Sequence, residues 1–246
     1  GAIIDNVITK TLGNETWTTP KTLGNDFTVK SGHTLTIQNT TVSLTPKVKI
    51  KVEPNAKLII DNSTLTSYVD GNCEGDYWGG IEIYGNKSQS QLVQYQGYLE
   101  LKNNSIIENA RNAISLWKSD DWNSMGGIVN ASNTTFRNNI RSVEFMSYKN
   151  INTNNEEIDN VSKFTNCTFE WNENIYSNDK LRLDHVTLWD VKGVKFIACD
   201  FKNTLTNNNE VSKQGIYSEE AGFTVQGKII PIPTGIEIDR SEFINL

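Results

Sequence analysis

An eight-residue pattern that recurs seven times constrains the fold of this chain more than any other feature. Each copy has two apolar residues at alternate positions, then usually an Asn, a small residue, a spacer and a large apolar residue. Six copies are regular and one contains an extra residue: Leu35–Val42, Leu58–Leu65, Val129–Phe136, Ser162–Phe169, Val194–Phe201, Ile236–Phe243 and the longer Leu99–Ile107. A short unit that cannot bury its own apolar face must stack on copies of itself, so the pattern predicts a solenoid.

The Asn of the pattern marks a corner between two short strands. The apolar residues alternate on both sides of the Asn but change phase across it, which indicates two strands that meet at a bend. Asn tolerates the left-handed backbone region that a tight corner requires, and its amide can bond to the Asn of the next coil. We therefore predict a stacked column formed by Asn39, Asn62, Asn104, Asn133 and Asn166.

Two sets of residues after the corner are predicted to point inward. The first set is small: Thr40, Ser63, Ser105, Thr134, Cys167, Cys199 and Ser241. The second set follows two positions later and is large and apolar: Val42, Leu65, Ile107, Phe136, Phe169, Phe201 and Phe243. The mostly polar residues between the two sets would form the solvent face of the same strand.

A second column of short apolar segments follows each corner after a variable gap. Its members are Val48–Ile50, Ile81–Ile83, Ile114–Leu116, Val143–Phe145, Val186–Leu188 and Ile216–Ser218. Three strands per coil is the simplest account, and the uneven spacing of the corners indicates loop insertions. The predicted fold is therefore all-β, a right-handed parallel β-helix of about seven coils.

The domain organisation follows from where the pattern starts and stops. We expect residues 1–26 to form an N-terminal capping segment, with Trp17 over the open end, and residues 27–246 to form one β-helix domain. Because no cap follows the last inward residue, we expect the solenoid to continue or to be capped beyond Leu246, or to associate end to end.

Charge and composition exclude two classes of function. The net charge is −6 and no stripe of Lys and Arg is present, so we expect no nucleic-acid partner. No run of 18 apolar residues occurs, which predicts no transmembrane segment. The chain has three cysteines, of which Cys167 and Cys199 occupy the same inward position in adjacent coils. We interpret these two as buried thiols and predict no metal bound through them.

Several segments resemble a known family. Val29–Ile37, Val52–Leu65, Trp78–Asn86 and Ile107–Ile114 resemble the right-handed parallel β-helix, pectin-lyase-like regions of proteins secreted by Bacteroidetes, and the resemblance extends from about Trp17 onward. It implies the same fold, a secreted or cell-surface location, and a module of a larger extracellular protein.

The insertion Trp117–Trp122 is the strongest candidate for ligand contact. It places Trp117 and Trp122 beside Asp120 and Asp121, the combination that pyranose stacking and hydroxyl recognition require. Two other interpretations stay open: the loop caps itself and covers the strand beneath, or its carboxylates bind calcium. The preceding insertion would add Asp70, Glu74 and Asp76 to the acidic cluster.

Glu82 and Glu144 are the candidate catalytic residues. They belong to the outward positions of the second column, which read Lys49, Glu82, Ser115, Glu144, Thr187 and Tyr217. Two coils would separate the backbones of the two residues by about 9 to 10 Å, near the upper end of the carboxylate separation used by inverting glycosidases. Strand alternation alone also places polar residues at outward positions, so a solvated face is the competing interpretation.

Two tryptophans outside the insertion bear on the site. Trp78 precedes Gly79 and Gly80, which would let the chain turn tightly into a strand, and we predict that its indole seals the edge of a coil. Trp189 closely follows an inward position, so the sequence leaves both burial and exposure open.

Together these features predict a non-catalytic extracellular module that needs no cofactor. It would act as a rigid spacer or adhesin, or as a glycan-binding module that contacts an extracellular glycan or surface. The alternative is a glycoside hydrolase or lyase that uses a groove over Glu82 and Glu144.

Overall fold

The protein is a parallel β-helix, as the repeated pattern predicts. A computed structural model describes residues 8–69, 76–172, 183–205, 214–233 and 235–246. The described residues form strands and turns with no helix, and the chain visits three parallel sheets in turn as it coils. The acidic residues Asp70 and Glu74 and the third cysteine, Cys73, lie outside the described residues.

The strands are numbered in chain order. The first sheet contains β1 (Glu15–Trp17), β4 (Thr34–Gln38), β7 (Lys57–Asp61), β10 (Tyr98–Lys102), β13 (Ile128–Ser132), β18 (Lys163–Thr165), β21 (Lys192–Ile197) and β24 (Gly222–Gln226). The second sheet contains β2 (Lys21–Leu23), β5 (Thr41–Leu44), β8 (Thr64–Ser67), β11 (Ser105–Glu108), β14 (Thr134–Arg137), β19 (Thr168–Trp171), β22 (Asp200–Asn203) and β27 (Glu242–Ile244).

The third sheet contains β3 (Phe27–Val29), β6 (Lys49–Val52), β9 (Gly80–Ile83), β12 (Asn112–Ser115), β15 (Arg141–Phe145), β20 (Val186–Trp189) and β23 (Ile216–Glu219). Two antiparallel hairpins project from the coils: β16 (Asn150–Ile151) with β17 (Glu157–Ile158), and β25 (Lys228–Ile232) with β26 (Gly235–Asp239). Strands β1 and β2 lie inside the predicted capping segment, and they pair with β4 and β5.

The corner asparagines adopt the predicted left-handed conformation. Asn39, Asn62, Asn104, Asn133 and Asn166 all have φ between 46° and 64°. The Asn62 amide donates to Asn39 over 2.8 Å, and that of Asn166 donates to Asn133 over 3.1 Å. The extra residue of the longer copy interrupts the column, because there Asn103 donates to Asp61 instead. The predicted column therefore forms in two sections.

The inward positions after the corner build the core. The rings of Phe136, Phe169, Phe201 and Phe243 lie nearly parallel, with 4.8 Å between successive centroids. This distance equals the separation of neighbouring strands, so each ring packs on the equivalent ring of the next coil. The first three rings are fully buried, whereas Phe243 in the last described coil is 52% exposed.

Cys167 and Cys199 are buried free thiols, as predicted. They precede Thr168 and Asp200, which are paired in β19 and β22, so the two thiols occupy equivalent positions in adjacent coils. Each lies within 3.5 Å of a backbone carbonyl, and burial raises the pKa of Cys167.

The prediction for the final copy, Ile236–Phe243, is wrong in its first half. The segment that continues the first sheet is β24, in which Phe223 pairs with Val194 and Val225 with Phe196. Strand β26 instead pairs with β25 in a hairpin inserted at the corner. The two segments have the same alternation, so apolar pattern alone could not distinguish them.

Trp78 seals a coil edge, as predicted. Its side chain is fully buried, and its indole N–H donates to the carbonyl of Glu108 over 2.8 Å. Gly80 follows with φ of 99°, and a Cβ atom there would lie 1.6 Å from the backbone oxygen of Asn112. Only glycine fits this close approach of two coils.

Candidate functional site

The candidate site lies on the outward face of the third sheet. The strand register places Glu82, Ser115, Glu144, Thr187 and Tyr217 in one row, as predicted. At the usual strand separation, the backbones of Glu82 and Glu144 lie about 9 to 10 Å apart. The row therefore brings the two candidate carboxylates to one face, two coils apart.

The first strand of the row differs from the prediction by two residues. The partner of Glu82 in β6 is Lys51, whereas Lys49 pairs with Gly80. A shift of two residues keeps every side chain on its original face, so both lysines point outward. Val48, Ile50 and Val52 are all apolar, so the alternation of the sequence fits either register.

A groove of about 450 Å³ runs over this face. Its walls come from the insertions that flank β9 and β12, and most of its lining residues are of polar or charged type. The lining residues are Lys47, Lys49, Asp76, Tyr77, Gly79, Glu82, Arg111, Asn112, Ser115, Trp117, Ser119 and Glu144. The structure thus forms a groove where the sequence predicts one.

Glu82 is held by three neighbours at the floor of the groove. Its side chain is 7% exposed, and Oε1 lies 2.5 Å from the ammonium group of Lys49. The Tyr84 hydroxyl donates to Oε2 over 2.8 Å, and Ser119 donates to Oε1 over 3.5 Å. Burial and the neighbouring Glu82 carboxylate raise the pKa of Tyr84, so this hydroxyl keeps its proton and acts as a donor.

Glu144 has an equally complete set of partners. Its side chain is 12% exposed and forms an ion pair with Arg141, which lies three residues earlier in the same strand. The indole N–H of Trp117 donates to Oε2 over 2.9 Å, and the Ser115 hydroxyl donates to the same oxygen over 3.5 Å. Both candidate carboxylates are therefore ion-paired and hydrogen-bonded within the protein.

The loop that contains Asp120 and Asp121 is structured by its own residues. Asp121 accepts the backbone N–H of Asn123 over 2.9 Å, which is the capping role predicted for the loop. Asp120 points into solvent and pairs with Lys118 at 3.1 Å. Its hydrogen bond with Lys118 lowers the pKa of Asp120. The two aspartates have different surroundings and do not act as a pair of equivalent ligands.

Three tryptophans form a row beside the groove. The ring centroid of Trp122 lies 5.3 Å from that of Trp117 and 5.9 Å from that of Trp189. Trp117 is half-buried, whereas Trp122 and Trp189 are 53% and 39% exposed. We call Trp117, Trp122 and Trp189 the tryptophan row. Sequence reasoning did not assign Trp189 to the site, and its outward position two residues after Thr187 was the available signal.

The described residues offer no preformed metal site. No group of three or more His, Cys, Asp or Glu side chains in these parts of the chain is placed to hold a metal ion. Of the predicted acidic cluster, Asp76 lines the groove, and its carboxylate accepts the N–H of Tyr77 over 2.8 Å.

Comparisons with known proteins identify no relative. No protein-family model matches the chain, and no curated protein or solved structure is significantly similar to it. Among the described residues, no helix is long and apolar enough to cross a membrane. The resemblance to secreted pectin-lyase-like regions stays a prediction.

Proposed function

We propose that the groove and the tryptophan row bind a glycan without cleaving it, within a rigid extracellular module. The observation that carries this proposal is the row itself, because Trp122 and Trp189 expose 53% and 39% of their surface next to a polar groove. Large aromatic side chains are usually buried, and a cluster of exposed ones indicates a binding surface.

The chemistry of the site fits a carbohydrate. Indole rings offer apolar faces to the C–H groups of a pyranose, while nearby polar groups bond to its hydroxyls. The groove supplies such groups from Asn112, Ser115 and Ser119, and it supplies charged donors from Lys47 and Arg111. Ligand contacts of this kind need neither a metal ion nor a cofactor.

The ion pairs are the reason for proposing binding without cleavage. An inverting glycosidase requires one carboxyl group that gives up a proton and one carboxylate that activates water. Glu82 already accepts from Lys49 and Tyr84, and Glu144 accepts from Arg141 and Trp117. In this arrangement both carboxylates serve as acceptors inside the protein.

The solenoid would supply the rigidity of such a module. Each coil is hydrogen-bonded to its neighbours through three sheets, and one continuous core runs beneath them. The extracellular location belongs to the proposal as well, and its support is the sequence resemblance to secreted proteins.

A polysaccharide panel tests the proposal by affinity electrophoresis. We expect at least one glycan to retard the protein, and we expect the double variant Trp122→Ala, Trp189→Ala to weaken binding about tenfold or more. Tyr98→Ala is the matched control, since Tyr98 is an aromatic residue on the first sheet that lies beneath Lys57. Retardation by no glycan, or unchanged binding by the double variant, would overturn the proposal.

A second candidate, glycan hydrolysis, is favoured by one observation: Glu82 and Glu144 line the same groove in one row. If the protein cleaves a glycan, reducing ends should accumulate when the panel is incubated with it. Glu82→Gln and Glu144→Gln should then both abolish release. Release that survives both substitutions would remove this candidate.

A further inference from the structure

The loop from Trp117 to Ser124 is a compact unit. The Lys118 N–H donates to the hydroxyl of Ser124 over 2.7 Å, and that hydroxyl donates to the carbonyl of Asp121 over 2.7 Å. On its other side, the carbonyls of Ser124 and Asn123 accept backbone N–H groups from Gly85 and Lys87. Because the loop is closed by its own bonds, its position over the sheet depends on a few contacts at its base.

Glu144 provides a direct side-chain contact between the loop and the third sheet. It accepts the Trp117 indole N–H over 2.9 Å, and Arg141 holds the carboxylate from the other side. Trp117 in turn packs against Trp122 at 5.3 Å. A chain of direct contacts thus leads from the strand, through one carboxylate, to the exposed indole.

Glu82 provides a second, weaker contact. Its Oε1 atom accepts the Ser119 hydroxyl over 3.5 Å while it is paired with Lys49. Glu82 and Glu144 therefore meet the same loop at two points near its start. Neither contact is needed for strand pairing, which uses backbone groups alone.

We propose that Glu144, assisted by Glu82, is a positioning residue that holds Trp122 against Trp189. This inference rests on the proposed function for its ligand, although the positioning itself can be measured without one. It assigns the two carboxylates a role that differs from catalysis: they fix the geometry of the tryptophan row. Their ion pairs with Arg141 and Lys49 are then part of that role, because they fix the carboxylates themselves.

The positioning is tested by fluorine NMR of protein labelled with 5-fluorotryptophan. The six tryptophans give separate probes, which single Trp→Phe variants assign. We expect Glu144→Ala to shift or broaden the resonances of the tryptophan row and to leave those of Trp17 and Trp78 in place. Glu144→Gln should largely preserve the spectrum, because its amide oxygen can still accept the Trp117 indole N–H.

Glu170→Ala is the matched control for this experiment. Glu170 is also an outward, ion-paired carboxylate, 19% exposed, but it lies on the second sheet beside Arg137. We expect its removal to leave the three resonances of the tryptophan row unchanged. If Glu144→Ala does not fold, the double variant Arg141→Ala, Glu144→Ala replaces it, because it removes the hydrogen bond to Trp117 and leaves no unpaired cation. It should shift the Trp122 resonance.

The outcomes separate the two proposals. Glu144→Ala should also weaken binding of any glycan that retards the wild-type protein by about tenfold, close to the effect of the double variant Trp122→Ala, Trp189→Ala. If the row resonances stay unchanged in Glu144→Ala, or in the double variant that replaces it, the positioning role is wrong, whatever the binding result. If they shift and no glycan is bound, the positioning stands and the proposed function is wrong.

Discussion

The second and third sheets carry similar outward residues and yet form different surfaces. Glu170 on the second sheet pairs with Arg137, and Glu144 on the third sheet pairs with Arg141. Glu170 contacts side chains on or next to its own strand, including that of Asn172. Glu144 in addition accepts a hydrogen bond from the indole of Trp117, which belongs to a loop. The same strand alternation therefore produces a plain charged face in one sheet and the floor of a groove in the other.

The difference comes from the connections between strands. The corner from the first to the second sheet is usually about two residues long, as between Gln38 and Thr41. Some of the connections that enter or leave the third sheet are far longer, as between Ser67 and Gly80 or Ser115 and Ile128, whereas others, such as that between Trp189 and Lys192, are equally short. In a β-helix, binding sites form where the coils accept insertions, because only there can additional side chains cover the outward face of the strands.

The second and third sheets share one core, and Phe169→Ala should lower the stability of that core more than the substitutions that follow. Phe169 is fully buried between Phe136 and Phe201, each 4.8 Å away. Removing its ring should lower the free energy of unfolding by about 3 to 5 kcal/mol. Urea denaturation measures this, with the outward neighbour Thr168→Ala as control. A loss below about 1 kcal/mol would contradict a continuous core.

A buried histidine that joins the two sheets should make the stability depend on pH. His185, just before β20, stacks on Trp171 of the second sheet with 3.7 Å between ring centroids. Burial lowers its pKa to about 3, so the folded protein holds it neutral. The unfolded chain binds a proton near pH 6.5. The contribution of neutral His185 to the free energy of unfolding is therefore fully present above pH 6.5. It is lost progressively as the pH drops from 6.5 towards about 3.

The expected loss from this group is on the order of 5 kcal/mol across that range. His185→Phe keeps an aromatic ring beside Trp171 and removes the titration, so its stability should depend less steeply on pH. Urea unfolding of both proteins between pH 7 and pH 4 measures the difference. Equal slopes would contradict the buried neutral state of His185.

Ion pairs on the two faces should differ in strength. Lys49→Ala leaves Glu82, 7% exposed, without its cation, and we expect a loss of about 2 to 3 kcal/mol. Lys202→Ala on the second sheet removes the partner of Asp200, where both side chains are 28% exposed, and should cost less than about 1 kcal/mol. Thermal and urea unfolding compare the two, and equal losses would show that the groove does not desolvate Glu82.

The smallest effect should be a stabilisation at the corner. Ala198 occupies a corner position with φ of 50°, which is unfavourable for alanine. Oδ1 of Asn166, in the preceding coil, finds no partner among the described residues. Ala198→Asn should relieve the strain and donate to Asn166, which raises the free energy of unfolding by about 1 kcal/mol. The Ala198→Gly variant relieves the backbone strain without adding the hydrogen bond, so it measures the first contribution alone. A destabilised Ala198→Asn variant would contradict the corner geometry.

Much of the fold was predictable from the sequence because the repeat reports directly on packing. Corner residues such as Asn62 and inward residues such as Phe169 follow from local backbone preference and apolar alternation. The register error at Lys49 and the failure at Ile236–Asp239 have one cause. Alternation with a period of two cannot distinguish a strand from the same strand shifted by two residues, or from a hairpin strand.

The candidate site was only partly predictable. The row of Glu82 and Glu144 follows from alternation, so the sequence sufficed to find it. The contact between Trp122 and Trp189 joins residues far apart in the chain, and it depends on how a loop folds over the sheet. Arg141, which pairs with Glu144, and Tyr84, which donates to Glu82, do not belong to the repeated pattern, so the pattern could not predict these contacts.

The most direct test of the central claim is a fluorine NMR titration of 5-fluorotryptophan-labelled protein with a glycan that retards it in affinity electrophoresis. The account predicts that the resonances of Trp122 and Trp189 shift in a saturable manner, while those of the buried Trp17, Trp78 and Trp171 stay in place. No shift of the Trp122 and Trp189 resonances at saturating glycan would contradict the claim that the third sheet is the binding face.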